Sequence, residues 1–345
     1  MVMRSIRTRF VLSNGKRVSL ASSSYFAISS NASGRSFTLT VFSGCGPNAE
    51  NTKPASDDKA FLTITDDTGR TVVLPEKPER VVSLATSYLN MIDAVGGKIV
   101  GRASSKIGEM PEAMKNVPEV GFVYNINMES LISLKPDLVI ANKNQHEKFL
   151  PLLESNKIPV IAINPKTYDE VKDKLILMGK IYGVPEKGEA AAAKLDQQVK
   201  AVTEKLPQDG KRIVIMHATP SNVTVELENS IAGCVAKMLG FQNVAVGATP
   251  IKGKPEKTPY SMEALVEKNP EIIFITFMGD SEEIENRLRA DVKSNPAWAS
   301  LEAVRNNKVY LLPERLFLLN PGLHYPDAVK YMAKTVYPEV FKDDK

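Results

Sequence analysis

Met128-Glu-Ser-Leu-Ile-Ser-Leu-Lys-Pro-Asp-Leu-Val-Ile140 and, 134 positions later, Met262-Glu-Ala-Leu-Val-Glu-Lys-Asn-Pro-Glu-Ile-Ile-Phe274 are two versions of one segment. Each copy predicts a short helix that starts beside a polar cap (Asn127, Ser261), stops at a Pro-acid pair (Pro136-Asp137, Pro270-Glu271) and feeds a buried apolar strand. A solenoid stacks units of about 20 to 50 residues, so a repeat this far apart is not one. It marks two related α/β lobes with a cleft between them. Each copy also carries a glutamate in its first turn, Glu129 and Glu263.

The 345 residues leave room for two lobes with cores of their own, and 43% hydrophobic with 24% charged residues is a globular composition. No run approaches the roughly 20 apolar residues of a membrane-spanning helix, so membrane association must come from an anchor. The formal charge of +4 has a local origin. Residues 1–44 hold Arg4, Arg7, Arg9, Lys16, Arg17 and Arg35 and no acid, which leaves the chain from Cys45 onward near −2 and excludes a nucleic-acid binder. Cys45 and Cys234 have no CxxC partner, which argues against a disulfide framework and a structural zinc site.

Phe42-Ser-Gly-Cys45, followed by a stretch rich in Pro, Asn, Ser and Asp, looks like a bacterial lipoprotein cleavage site with its tether. Cys45 is then the lipidated first residue; the competing reading is a free thiol in a tail. Phe42 stands where leucine is usual, and threonines break the apolar run before it. The Ser- and Arg-rich stretch 1–36 matches neither a signal sequence nor a folded element and reads as an over-extended start.

From Phe61 the chain alternates through an Asp67-Thr-Gly69 turn, a β-hairpin signal. Strands at 80–84, 137–141 and 159–163 then alternate with helices, which implies a parallel sheet covered on both faces. Two helices follow, 168–182 and 186–206; the second carries the stripe Leu195, Val199, Val202, Leu206 and has the length of a strut between lobes. The second lobe repeats the pattern with strands at 211–216, 271–277 and 309–312 and helices at 230–239, 280–294 and 326–337. The predicted division is a leader at 1–44, a tether at 45–60, an N-terminal lobe at 61–165, a helical linker at 166–207 and a C-terminal lobe at 208–341.

Thr65-Asp-Asp-Thr-Gly-Arg-Thr-Val72, Pro78-Glu-Arg-Val-Val-Ser-Leu84, Asn127-Met-Glu129 with Leu134-Lys-Pro-Asp-Leu-Val139, and Asn295-Pro-Ala-Trp298 with Asn307-Lys-Val-Tyr310 occur in this order. Together with the strut, that order resembles the solute-binding proteins of ABC importers for ferric siderophores, haem and cobalamin. The resemblance spans roughly residues 61–340. It implies two Rossmann-like lobes with mostly parallel sheets, joined by a single long helix, with a shallow ligand cleft between them and little hinge motion. It further implies a monomer that captures an iron complex outside the cell membrane and hands it to an ABC permease dimer.

In this family the glutamate of each lobe's repeated segment docks onto arginines of the permease, a role that falls on Glu129 and Glu263. A first-turn glutamate also favours the helix dipole by about 0.3–1 kcal/mol without any partner. Open α/β sheets bind ligands at the carboxyl ends of their strands, which nominates Thr86, Ser87, Tyr88, Asn142 and His146 in the first lobe and His217, Met278 and Arg315 in the second. In the haem branch a methionine of the first N-lobe helix and a histidine after a C-lobe strand are the axial ligands. Met91 stands near the first of these positions and Met278 at the second, which leaves Met/Met ligation of haem, a nearby His217, or a non-haem ligand open. Haem ranks ahead of a ferric siderophore on this reading, with cobalamin as the alternative.

An enzyme would need a constellation of its own, and the chain has no G-x-S-x-G elbow, Walker loop, G-x-G-x-x-G or H-E-x-x-H. Two other classes stay in play. His146, His217 and His324 could hold a bare metal ion in an importer subunit, and a tetrapyrrole chelatase could use a similar two-lobed fold.

Overall fold

The computed structural model describes residues 60–106, 110–220, 222–279, 282, 284, 286–287, 290 and 295–342. The leader, Cys45 and the tether, Ala60 apart, lie outside the described residues, as does most of the helix expected at 280–294. Among the described residues no helix is long and apolar enough to cross a membrane.

Strands β1 (Leu62–Thr65) and β2 (Thr71–Leu74) pair antiparallel across a turn closed by Gly69 at φ 84°, a conformation that glycine adopts without a Cβ clash. The N-lobe sheet follows: β3 (Val81–Ser83), β4 (Gly101–Ser104), β5 (Glu119–Phe122), β6 (Asn125–Ile126), β7 (Leu138–Asn142) and β8 (Val160–Ile163). Its order is β6-β5-β4-β3-β7-β8, parallel throughout except at the two-residue edge strand β6.

The C-lobe sheet is built from β9 (Arg212–Ala218), β10 (Val223–Glu226), β11 (Gln242–Asn243), β12 (Lys257–Pro259), β13 (Ile272–Phe277) and β14 (Val309–Leu311). Its order is β12-β10-β9-β13-β14, with β11 beside the start of β9. Strands β9, β11, β13 and β14 are parallel, whereas β10 and β12 run antiparallel at one edge. The sequence reading had no strand at β10 or β12; the β9–β10 hairpin is an addition that has no counterpart in the first lobe.

The repeat has a physical basis that the structure makes visible. Asn127 caps the helix Met128–Ser133 by accepting from Ser130 N, and Ser261 caps Met262–Lys268 by accepting from Ala264 N. Both copies then turn through a left-handed residue at the same offset, Lys135 at φ 46° and Asn269 at φ 41°. An arginine at the start of each lobe's first strand covers the exposed helix carbonyls: Arg80 donates to Leu134 O (2.6 Å) and Lys135 O (3.1 Å), Arg212 to Lys268 O (3.1 Å) and Asn269 O (2.8 Å). The acid of each Pro-acid pair returns the contact, Asp137 accepting from Arg80 N at 2.9 Å and Glu271 from Arg212 N at 3.2 Å. Helix end and strand start are thus clamped in both lobes, and the unpaired carbonyls of a helix terminus find partners.

Strand residues alternate between two environments. Val81, Leu138, Ile140, Ile161 and Ile163 of the first sheet and Ile213, Ile215, Ile272 and Phe274 of the second belong to one apolar cluster. It is bridged by the helices Tyr168–Ile181, Pro185–Thr203 and Tyr325–Val336, which contribute Val171, Leu175, Leu195, Val199, Val329 and Met332 among others. The outer faces close separate cores around Val82, Val139 and Val160 in one lobe and Val214, Ile273 and Ile275 in the other. The long helix of 19 residues, about 28 Å, therefore runs through a core that both lobes share.

Candidate functional site

The strands end at a cavity of about 580 Å³, inside the roughly 300–1,000 Å³ usual for a small-molecule site. The N-lobe wall comes from the loops after β3, β7 and β8: Thr86, Ser87, Asn142, Asn144, Gln145 and Asn164. These side chains are polar and uncharged; Lys166, in the same loop after β8, brings one charge to this side, and the ring of Tyr124, 61% exposed, stands beside them.

Asn142 organises this wall. Its Oδ1 accepts from Asn144 N (3.0 Å) and Gln145 N (3.2 Å), which starts the helical turn Lys143–His146, and its Nδ2 donates to Asn164 Oδ1 (3.2 Å) and Tyr88 Oη (3.0 Å). Tyr88 in turn donates to Ile163 O at 2.7 Å and is fully buried, and that burial pushes its phenol well up. Tyr88 thus supports the wall from behind and is not part of its surface. His146 likewise is fully buried: Asn142 N donates to its Nδ1 (2.9 Å), so Nε2 carries the proton and donates to Val123 O (2.8 Å). With both nitrogens engaged it buckles two cleft loops together, and burial holds it below the ordinary histidine value against the pull of the Val123 carbonyl. This removes His146 from the three-histidine metal site. His324 instead meets Asp327 Oδ2 at 2.9 Å, and no group of three or more metal-binding side chains occurs among the described residues.

The C-lobe wall is charged. Thr276 and Thr224 lie opposite His217 on the strands either side of it. The Thr276 hydroxyl donates to Glu226 Oε1 at 2.6 Å, so its contact with His217 Nδ1 at 2.9 Å is one in which the imidazole donates. In the neutral imidazole that tautomer places the lone pair on Nε2. Beside this group lie Lys257, Lys254 and Glu256, the last paired with Lys166 Nζ at 2.7 Å. Met278, 53% exposed, completes the wall, and Phe317–Asn320 close the floor.

Of the residues expected here, Thr86, Ser87, Asn142, His217 and Met278 line the cavity. Arg315 is exposed on the helix Glu314–Phe317 and does not line it. Met91 is fully buried in the shared core and does not line the cavity. The Met91/Met278 pair expected as axial ligands is thus not brought together on the cavity surface. Tyr124, Asn164, Lys166, Thr224, Glu226, Glu256 and Lys257 carry no signal of a site in the sequence; the alternation Val223-Thr-Val-Glu226 covers two of them but is only four residues long. Glu129 and Glu263 are exposed in the first turns of their helices, away from the cavity lining.

Comparison with known proteins places this geometry. Residues 81–316 match the periplasmic binding protein family model, and the chain belongs to that family. It is a binding protein and not an enzyme. It is 28% identical to the Fe(3+)-citrate-binding protein YfmC of Bacillus subtilis over 278 residues, covering 78% of this chain and 84% of the relative. It is 25% identical to the ABC transporter substrate-binding lipoprotein YvrC of Bacillus subtilis over 316 residues, or 88% and 95% of the two chains. The fold matches the crystal structure of Staphylococcus aureus IsdE complexed with heme at a TM-score of 0.64 and 22% identity, covering 75% of this chain and 98% of that one.

Proposed function

We propose that this protein is the extracytoplasmic substrate-binding lipoprotein of an ABC importer for a hydrophilic iron complex, a ferric siderophore or ferric hydroxycarboxylate. The observation that carries the ligand class is the density of hydrogen-bonding and charged groups in the lining, amides and hydroxyls with Lys166 on one side and lysines with glutamates on the other, beside apolar side chains such as Ile231 and Phe317. Such a lining suits an oxygen-rich, charged complex. Relatives named for ferric citrate and for ABC transport support the reading. On this proposal Cys45 carries the lipid anchor, the lobes are 61–165 and 208–341 with 166–207 between them, and Glu129 and Glu263 dock to the permease dimer.

Haem is the second reading, because His217 lines the cavity, its Nδ1 is engaged by Thr276, and imidazole is a common axial ligand. Equilibrium dialysis with radiolabelled ferric citrate and a set of ferric siderophores, run beside a haemin absorbance titration, separates the two. Saturable retention of a ferric oxygen-donor complex with only the spectrum of free haemin is the expected result. A sharp low-spin Soret band that His217→Ala shifts would decide for haem, and retention of cobalamin alone would overturn both.

A further inference from the structure

Lys166 and Glu256 form an ion pair that spans the cleft. Lys166 follows Pro165 at the exit of β8 in the N-lobe sheet, and Glu256 precedes β12 at the edge of the C-lobe sheet. Nζ and Oε1 are 2.7 Å apart, the side chains are only 28% and 16% exposed, and both residues line the ligand cavity. The pair is lopsided: Glu256 Oε2 is buried and has no hydrogen-bond partner. A carboxylate needs both oxygens satisfied to repay its desolvation, so this one is a poor permanent partner for the lysine.

The surrounding charge has the same bias. Lys257 and Lys254 of the C-lobe and Lys166 on the N-lobe side face Glu226 and Glu256, an excess of one cation across the cavity, while the other polar residues of the N-lobe wall are neutral. Burial draws the Lys257 ammonium below the ordinary lysine value; Glu226 and Glu256 pull it back, and Lys254 and Lys166 push with the burial. All five groups therefore belong to one electrostatic cluster. Burial works to raise the Glu256 carboxyl, and the Lys166 hydrogen bond, the backbone N–H of Glu256 itself and the charges of Lys166 and Lys257 together outweigh it, so Glu256 stays ionised and competes as an anion.

We propose that Lys166 is the anion anchor of the cleft and Glu256 its resident competitor: a free carboxylate on the bound ferric complex takes over Lys166, and Glu256 sets how strongly anionic a ligand must be to do so. This rests on the iron-complex reading above. A ligand carboxylate that displaces Glu256 gains the lysine and offsets the excess positive charge of the cavity, whereas a cationic ferric complex gains nothing from the exchange.

The test compares ferric citrate, which is anionic, with the cationic ferric complex of desferrioxamine B, using equilibrium dialysis on wild type, Glu256→Gln, Lys166→Met and the double variant. Glu256→Gln is expected to tighten ferric citrate by about threefold, the scale of one partly exposed ion pair. Lys166→Met is expected to weaken it by about tenfold or more and to abolish the gain from Glu256→Gln in the double variant. The cationic complex should show no tightening with Glu256→Gln. Lys166→Gln replaces Lys166→Met if the latter melts early. Ferric citrate binding that is unchanged or weakened by Glu256→Gln overturns this proposal while leaving the iron-complex function standing. Failure of wild type to retain either ferric complex overturns the functional reading and this proposal with it.

Discussion

Asp66 collects five donors: Thr68 N (3.0 Å), the Thr68 hydroxyl, Arg70 N (3.1 Å), Arg70 Nη2 (2.6 Å) and Ala162 N (3.1 Å). They close the β1–β2 turn on itself and pin it to β8. Burial pushes the Asp66 carboxyl up, and the bonds from Thr68, Arg70 and Ala162 outweigh it, bringing it to about 2 from an ordinary 3.8. A carboxylate with a depressed folded value stabilises the protein above its unfolded value and loses that contribution as pH falls through the folded one. The difference amounts to about 2 kcal/mol. Asp66→Asn should therefore be less stable than wild type by about that amount at pH 7, and the gap should close between about pH 4 and pH 2 in urea melts. A gap that does not change with pH would mean that the turn is held by something other than the charge. The same scale explains two residues that the sequence reading placed in the cleft. Tyr88 and His146 sit at strand ends, where ligand residues are expected, but their polar atoms are used up by Ile163, Val123 and Asn142 behind the wall.

At the scale of elements, the helices Tyr168–Ile181 and Pro185–Thr203 pack so closely that their backbones touch. A Cβ on Gly188 would lie 2.6 Å from Leu175 O, and one on Gly179 would lie 2.9 Å from Gly188 N. The glycines are there for approach, since both have ordinary helical backbones. Gly188→Val should cost about 1–3 kcal/mol or more by forcing the helices apart, while Ala190→Val on the exposed side of the same helix should cost less than about 1 kcal/mol. Equal losses in thermal and denaturant melts would show that helix propensity alone is at work. Which elements could be read in advance follows from period and length. The stripe Leu195, Val199, Val202, Leu206 was readable because it persists over three turns, and all four side chains are buried in the shared core. The clamp of Arg80 and Asp137, repeated by Arg212 and Glu271, was half visible as a Pro-acid pair; its arginines come from strands 57 and 59 residues away and leave no local pattern. Strands β10 and β12 have four and three residues with charged members, too short for alternation to stand out, and their pairing with β9 is decided by distant chain. Half of the charged cleft wall was invisible for that reason.

The two lobes form one body because the inner faces of both sheets and the helices between them bury side chains in a common core. Opening a hinge would expose residues such as Leu175, Leu195, Ile215 and Met332, and burial of each such side chain is worth about 1.5–3 kcal/mol. Large closure around a ligand is thereby disfavoured, so a permease must recognise fixed surfaces on the two lobes. Glu129 and Glu263 meet that requirement: each is exposed in the first turn of a helix at the same place in its lobe, and the clamps at the other ends of those helices fix their orientation. The backbone N–H of Glu263 and the Ser261 hydroxyl draw the Glu263 carboxyl below its ordinary value, which keeps it charged. Reversing either glutamate to lysine should weaken association with permease vesicles and its uptake of the iron complex by about tenfold or more at low salt, and the deficit should shrink as ionic strength rises. Ligand affinity of the isolated protein should stay within about twofold of wild type, because neither side chain lines the cavity and rim charges act on association. The comparison is decisive in both directions. Weakened ligand binding in Glu263→Lys, with an unchanged circular dichroism spectrum, would mean that this helix face belongs to the cleft, and undiminished uptake by both reversed variants would move the permease contact elsewhere on the lobes.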